Sequence, residues 1–352
     1  MSKFLSKKYE NLEPYTPGEQ PKDMAYIKLN TNESPFSPTK KAMSAVKKQA
    51  LLSKLYPDPE QTVLTKKVAD YLGVKKEQVL MTNGSDEILN FAFMAYCDSS
   101  NPAVFADITY GFYSVFAFIN GVPTKVIPLK DDFSIDKTDY YNARGTIFIA
   151  NPNAPTGLTL TLADIEDILK NNLNNIVVID EAYVDFGATS AIKLIDKYDN
   201  LLITRTFSKS RSMAGARLGF GVANEKIIKD LNAIKYSTNP YNVNRMSAIL
   251  GAYSIDDERY YEKCIQKVIF ARNYAKEELD KLGFELTDSK ANFLFAKHPK
   301  ISGETLYEKL KEKGVLVRHF NKERTKDYVR ITVGTQKEMT VLIQKIKEII
   351  QN

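Results

Sequence analysis

From about residue 40 to 240, short apolar β-branched runs alternate with segments of helical period, and this alternation constrains the chain more than any other feature. Residues 103–106, 125–129, 146–150, 176–180 and 201–205 read as buried strands, because runs this apolar leave no face for water. Strands separated by helices build a mainly parallel sheet with helices on both faces, so the fold class is α/β. Functional side chains in such sheets gather at the carboxyl ends of the strands.

The flanks read differently. Pro14, Pro17, Gly18, Pro21, Pro35 and Pro38 exclude long helices from residues 1–38 and predict an extended arm lying across another surface. Beyond residue 245, a long amphipathic helix at 258–282 is followed by a strand at 291–296 and a helix at 303–313. Strands at 315–319 and 328–333 and a helix at 336–350 complete a smaller α/β unit. A chain of 352 residues exceeds one ordinary core, so the expected division is an arm (1–38), a large domain (39–245) and a small domain (246–352). The segment 236–241, with Pro240, is the expected hinge.

Charge and cysteine content narrow the function classes. The net charge of +6 comes from 49 basic and 43 acidic residues with no long run of one sign, which disfavours nucleic-acid and membrane partners and suits small anions. Cys97 and Cys264 lie far apart in apolar helical patterns and read as free thiols in a reducing cytoplasm, with no metal site expected. Neither an apolar leader nor a membrane-spanning stretch is legible.

The chemistry concentrates after the strand at 201–205. Thr206 and Ser208 precede Lys209, and Arg217 follows it by eight residues. Two hydroxyls and a guanidinium would surround one phosphate while the lysine amine reaches past it toward an aldehyde. A polar loop with a surface arginine explains the same residues. The preceding strand ends in Asp180-Glu181-Ala182-Tyr183. A carboxylate closing an apolar strand needs a cation, and a pyridinium nitrogen is one such partner; a helix N-cap is the plainer alternative. Tyr183 could then bond the ring's phenolic oxygen. Gly84-Ser85-Asp86 opens an apolar helix whose first-turn amides can bind phosphate, unless a capping box takes them. Tyr110 offers a ring to stack on a flat ligand.

In their order, these motifs resemble the fold-type I pyridoxal-phosphate enzymes of the class II aminotransferase group. The resemblance spans Tyr15 to Gly334. It rests on Leu29-Asn30-Thr31-Asn32-Glu33-Ser34-Pro35, Tyr56-Pro57-Asp58, Asn83-Gly84-Ser85-Asp86-Glu87, Asn151-Pro152-Asn153-Ala154-Pro155-Thr156-Gly157, Asp180-Glu181-Ala182-Tyr183, Thr206-Phe207-Ser208-Lys209, Arg217-Leu218-Gly219 and Val329-Arg330-Ile331-Thr332-Val333-Gly334. It implies a large domain with a mainly parallel seven-stranded sheet and pyridoxal 5′-phosphate as cofactor. By the same likeness Lys209 forms the Schiff base, Asp180 pairs the ring nitrogen, Tyr183 bonds the phenolic oxygen and Tyr110 stacks on the ring. Ser85, Asp86, Thr206, Ser208 and Arg217 form or flank the phosphate cup. Tyr56 would reach the neighbouring subunit's cofactor, which implies a homodimer with shared sites. Tyr15 and Asn32 would line the substrate side. Where the common pattern has an asparagine against the phenolic oxygen this chain has Ala154, and Asn153 is carried forward as the substitute. Arg211 adds an unusual charge after the lysine, facing either ligand or solvent.

The expected substrates are a small amine and a 2-oxo acid. Arg330 and Arg318, both in strand patterns, suit an anion shared by two half-reactions: the phosphate of histidinol phosphate and a carboxylate of glutamate. Rival readings are aromatic amino-acid transamination, decarboxylation of threonine phosphate, and a regulatory or binding protein that keeps the fold. A nicotinamide enzyme is disfavoured, because Gly219-Phe220-Gly221 has Asn224 where a third glycine belongs.

Overall fold

The computed structural model describes residues 2–351. A two-residue strand, β1 (Ile27–Lys28), comes first, and two helices follow, α1 (Lys40–Ala50) and α2 (Thr62–Leu72). The large sheet comprises β2 (Val79–Thr82), β3 (Ala103–Ala106), β4 (Thr124–Ile127), β5 (Thr146–Ala150), β6 (Val177–Asp180), β7 (Leu201–Thr206) and β8 (Gly219–Ala223). Its order is β2-β8-β7-β6-β5-β3-β4. Neighbours from β4 across to β7 are parallel, and β8 runs antiparallel to both β7 and β2.

Both faces of the central strands are buried by simple alternation. Ile147, Ile149, Val177, Ile179, Leu201 and Ile203 belong to one core layer, and the residues between them, Phe148, Val178 and Leu202, to the opposite one. Fully burying each such side chain contributes about 1.5–3 kcal/mol. The covering helices begin where their sequences dictate. In α5 (Leu162–Lys170), Thr161 accepts from the Asp164 amide while the Asp164 side chain reaches back, a reciprocal cap. The remaining helices of this unit are α3 (Ser85–Tyr96), α4 (Phe112–Asn120) and α6 (Glu225–Thr238).

The rest of the chain folds around a second sheet. Helices α7 (Arg245–Asp256) and α8 (Glu258–Lys281) lead into β9 (Glu285–Leu286), β10 (Phe293–Lys297), α9 (Gly303–Glu312), β11 (Val315–Leu316), β12 (Arg318–His319), β13 (Tyr328–Thr332) and α10 (Gln336–Gln351). Strands β12-β13-β10-β9 form an antiparallel sheet, while β11 pairs in parallel with β1 of the arm. Leu29 of the arm is part of this second core.

Two expectations about elements need correction. The run at 125–129 is not a buried strand: β4 is the sheet edge, and Thr124, Lys125 and Val126 are exposed, as an edge allows. The single strand at 315–319 divides, because 315–316 pairs with the arm and 318–319 with β13. Strands β2 and β8 were not legible. In β8 the glycines hide the strand pattern, yet a Cβ on Gly219 would lie 2.5 Å from Gly84 C and Ser85 N, so the close packing requires glycine.

Candidate active site

Strand register builds the site. Ala150, Asp180 and Thr204 are aligned partners on β5, β6 and β7, so the chain after each emerges at one edge of the sheet. The turn from β2 into α3 joins them, because β2 is held through β8. A cavity of about 110 Å³ at this edge is lined by Ser85, Asp86, Tyr110, Asp180, Tyr183, Thr206, Ser208, Lys209 and Arg217, among others. Nine expected site residues thus meet in one place, although they span 133 sequence positions.

Asp180 is 4% exposed. Tyr113 donates to its Oδ2 at 3.2 Å, Thr204 Oγ1 and the Ala182 amide to its Oδ1 at 3.1 and 3.2 Å. Burial nevertheless dominates and pushes its pKa up to about 6, with the Asp86 charge adding to the rise. It has no cation bonded to it among the described residues. Among the described residues the Lys209 amine has no hydrogen bond or ion pair; its Nζ lies 5.5 Å from the Tyr183 ring centroid.

The other end of the cavity is rich in donors. No side chain caps α3: its N-cap is Gly84, at φ +83°, so the first-turn amides stay available and the expected alternative of a capping box is absent. Arg217 pairs with Asp86 at 2.8 Å and lies 3.5 Å from Ser208 Oγ. Asp86 also accepts from Tyr110 at 2.7 Å, which holds that ring at the cavity wall. A Cβ on Gly84 would come within 2.8 Å of Arg217 Nη2, so a side chain there would crowd the guanidinium. Among the described residues, a buried carboxylate without a cation, a lysine amine without a partner and a helix start with uncapped amides line one cavity. This donor set fits a flat cationic ring bearing an aldehyde and a phosphate.

A second cavity of about 400 Å³ adjoins the first and shares Tyr110, Ala154, Tyr183 and Lys209 with it. Arg318 and Arg330 are direct cross-strand partners on β12 and β13 and both line it. Phe320 sits under both guanidinium groups, 5.7 and 5.6 Å from its ring. Arg318 donates to the backbone of Thr16 and Pro17, and Arg330 to Asn30 O. Burial, with Arg318 as a smaller cause, lowers the Arg330 pKa, and its Nε is buried without a partner. Tyr15, stacked on Phe112 at 4.3 Å, and Asn32 complete the arm's side.

Two expected residues lie elsewhere. Asn153 does not line the inner cavity: Nδ2 donates to Ile108 O and Thr156 Oγ1, and Oδ1 accepts from Thr109. Both its amide protons are committed to the loop, which leaves none for a ring in the cavity. Tyr56 is 77% exposed, stacked on Tyr241 at 4.4 Å and outside this chain's own cavities. Arg211 faces neither ligand nor solvent. It is buried, paired with Glu258 at 2.5 Å, bonded to Ser254 O and flanked by the rings of Tyr71 and Tyr261.

Sequence reasoning missed Tyr113 and Thr204 beneath Asp180, and Phe320 and Lys322 in the outer cavity. The last two were legible, since 318, 320 and 322 share one face of an extended chain.

The site and sheet together define an enzyme that exchanges amino groups on a bound cofactor, and the chain belongs to the aminotransferase class I and II family, whose model matches residues 25–346. More particularly, it is 51% identical to histidinol-phosphate aminotransferase of Brachyspira hyodysenteriae, over 100% of both chains. The corresponding enzyme of Clostridium botulinum is 46% identical over 99% of each. In fold it matches the crystal structure of histidinol-phosphate aminotransferase from Sinorhizobium meliloti in complex with pyridoxal-5′-phosphate. The TM-score there is 0.86, with 21% identity, covering 93% of this chain and 91% of that one.

Proposed function

We propose that this chain is a pyridoxal-phosphate-dependent aminotransferase that interconverts histidinol phosphate plus 2-oxoglutarate with imidazole-acetol phosphate plus glutamate. The observation that carries the reading is the cross-strand pair Arg318 and Arg330, facing a cavity that opens onto Lys209. Two adjacent guanidinium groups suit an anion common to both substrates, a phosphate in one half-reaction and a carboxylate in the other.

Pyridoxal phosphate, when bound, supplies an aldehyde for amine exchange and a ring that holds the electron pair left when the amine-bearing carbon loses its proton. The chain's own residues do the rest. Lys209 anchors the cofactor and carries the proton at that carbon. Asp180 holds a proton on the ring nitrogen, and Tyr183 bonds the ring's phenolic oxygen. Tyr110 covers the ring face. The α3 turn with Ser85 and Asp86, and Thr206, Ser208 and Arg217, hold the phosphate. Tyr15 and Asn32 wall the substrate cavity and exclude water.

The arm, large domain and small domain (1–38, 39–245 and 246–352) are the working parts of this reading, with movement at 236–241. The exposed Tyr56, with Leu51 and Leu55 exposed on the same segment, supports a homodimer in which each Tyr56 serves the other subunit's cofactor phosphate. Among the described residues no helix is long and apolar enough to cross a membrane, and the cytoplasm is the proposed location.

The decisive assay loads purified protein with pyridoxal phosphate and supplies glutamate and imidazole-acetol phosphate. Formation of 2-oxoglutarate and histidinol phosphate is expected; absence of 2-oxoglutarate overturns the reading, and carbon dioxide from threonine phosphate replaces it with the decarboxylase. A visible absorbance band lost on borohydride treatment, and absent in Lys209→Ala, is expected for the loaded protein.

A further inference from the structure

Ala154 borders both cavities and can offer no side-chain hydrogen bond to anything in them. Neither nearby asparagine compensates. Asn153 has both amide donors committed, and Asn151 is engaged with Leu160, its Oδ1 accepting from that amide at 2.8 Å. The polar group at this junction instead comes from the arm. Asn32 is 1% exposed, and its Nδ2 donates to Tyr183 Oη at 3.0 Å.

The orientation of that amide is fixed by counting protons. The Thr332 hydroxyl accepts from the Asn32 backbone amide at 2.8 Å, and its single proton goes to Asn32 Oδ1 at 2.9 Å. Asn32 Nδ2 is therefore the end that faces Tyr183. The backbone is pinned as well, since Asn292 Nδ2 donates to Asn32 O at 3.0 Å. Asn32 sits at φ +56°, in the left-handed region that asparagine tolerates better than most residues.

The consequence falls on Tyr183. Its oxygen already accepts a hydrogen bond from Asn32, and its own proton has no acceptor among the described residues. Tyr183 lines both cavities. A phenol that accepts one hydrogen bond is a better donor in the next, because the two bonds polarise each other. We propose that Asn32 is a positioning residue that makes Tyr183 a one-way donor to the cofactor's phenolic oxygen, acting through the tyrosine where residue 154 has no polar side chain to act directly. This rests on the pyridoxal phosphate reading above. It assigns the Asn32 amide to Tyr183 rather than to substrate.

A donor at the phenolic oxygen stabilises its negative form and weakens that oxygen's hold on the proton of the neighbouring lysine-linked nitrogen. The linked nitrogen then deprotonates at lower pH. The test is the pH titration of the visible band of cofactor-loaded protein without substrate. Asn32→Gly removes the donor and keeps the left-handed backbone accessible. Its titration midpoint is expected to rise by about half a pH unit or more, the scale of one modest hydrogen bond. Tyr183→Phe is expected to rise further, and adding Asn32→Gly to it to change nothing more. Thr332→Val, which frees the amide to turn, is expected to move the midpoint the same way and serves if Asn32→Gly does not fold. An unchanged midpoint in both Asn32→Gly and Thr332→Val overturns the proposal, as does an equal shift with and without the Tyr183 hydroxyl. Failure of the wild type to form a lysine-linked visible band would instead remove the cofactor reading itself.

Discussion

Asp180 shows how one side chain can be costly alone and useful when partnered. Three donors bond its carboxylate, yet burial wins and raises its pKa from 3.8 to about 6. The cofactor-free protein therefore binds a proton more tightly at Asp180 when folded than when unfolded. The stability this gives is fully present below pH 3.8 and is lost as pH rises through about 6. The stability of cofactor-free wild type relative to Asp180→Asn should decline by roughly 3 kcal/mol across that window and level off above it. Urea unfolding of both proteins at several pH values checks this, and a difference independent of pH would refute it. With a pyridinium bound, the preference reverses, since the charged carboxylate then has its cation.

At the scale of elements, the phosphate end of the cavity depends on how closely β8 packs against the turn from β2 into α3. Gly219 permits that approach; a methyl group there meets Gly84 and Ser85 backbone at 2.5 Å. Gly219→Ala should push the first turn of α3 away from Arg217. The expected result is a roughly tenfold weaker hold on pyridoxal phosphate, read by absorbance titration, with a stability loss of about 1–3 kcal/mol. A stability loss with unchanged cofactor affinity would separate the packing from the site. The loop after Lys209 is braced by buried polar contacts: Ser210 and Arg205 bond Asp185, and Arg211 pairs with Glu258 at the start of α8. The cofactor loop is thus tied to the long helix that leads into the second sheet.

Across the whole molecule, the outer cavity is walled by the arm, the large sheet and the small sheet. Arg324, in the loop between β12 and β13, pairs with Asp107 at 3.0 Å and bonds Lys130 O at 2.6 Å, linking that loop to the carboxyl end of β3. Asp107 lies three residues before Tyr110. Both partners are half-buried, so the link is worth about 1 kcal/mol. Arg324→Ala should raise KM for both the phosphorylated and the carboxylate substrate by about fivefold with little change in kcat. A change confined to kcat would place its effect in the chemistry instead.

Much of this was legible in the sequence, because the signals were local. Apolar runs on β5, β6 and β7 specify strands buried on both faces, and chemistry-bearing residues at or just beyond their carboxyl ends, such as Asp180 and Lys209, are carried to one edge by parallel pairing. Proline spacing excludes long helices before residue 39, and the first α-helix begins at Lys40. What tertiary structure alone decided is where side chains with several possible partners turn. The Asn153 amide is drawn into its own loop by Ile108, Thr109 and Thr156, while Asn32, distant in sequence, is turned onto Tyr183 by Thr332. Arg211 is taken from both ligand and solvent by Glu258 and two tyrosine rings. Hydrogen-bond direction and ion pairing depend on atoms brought together from across the chain, and periodicity carries no record of them.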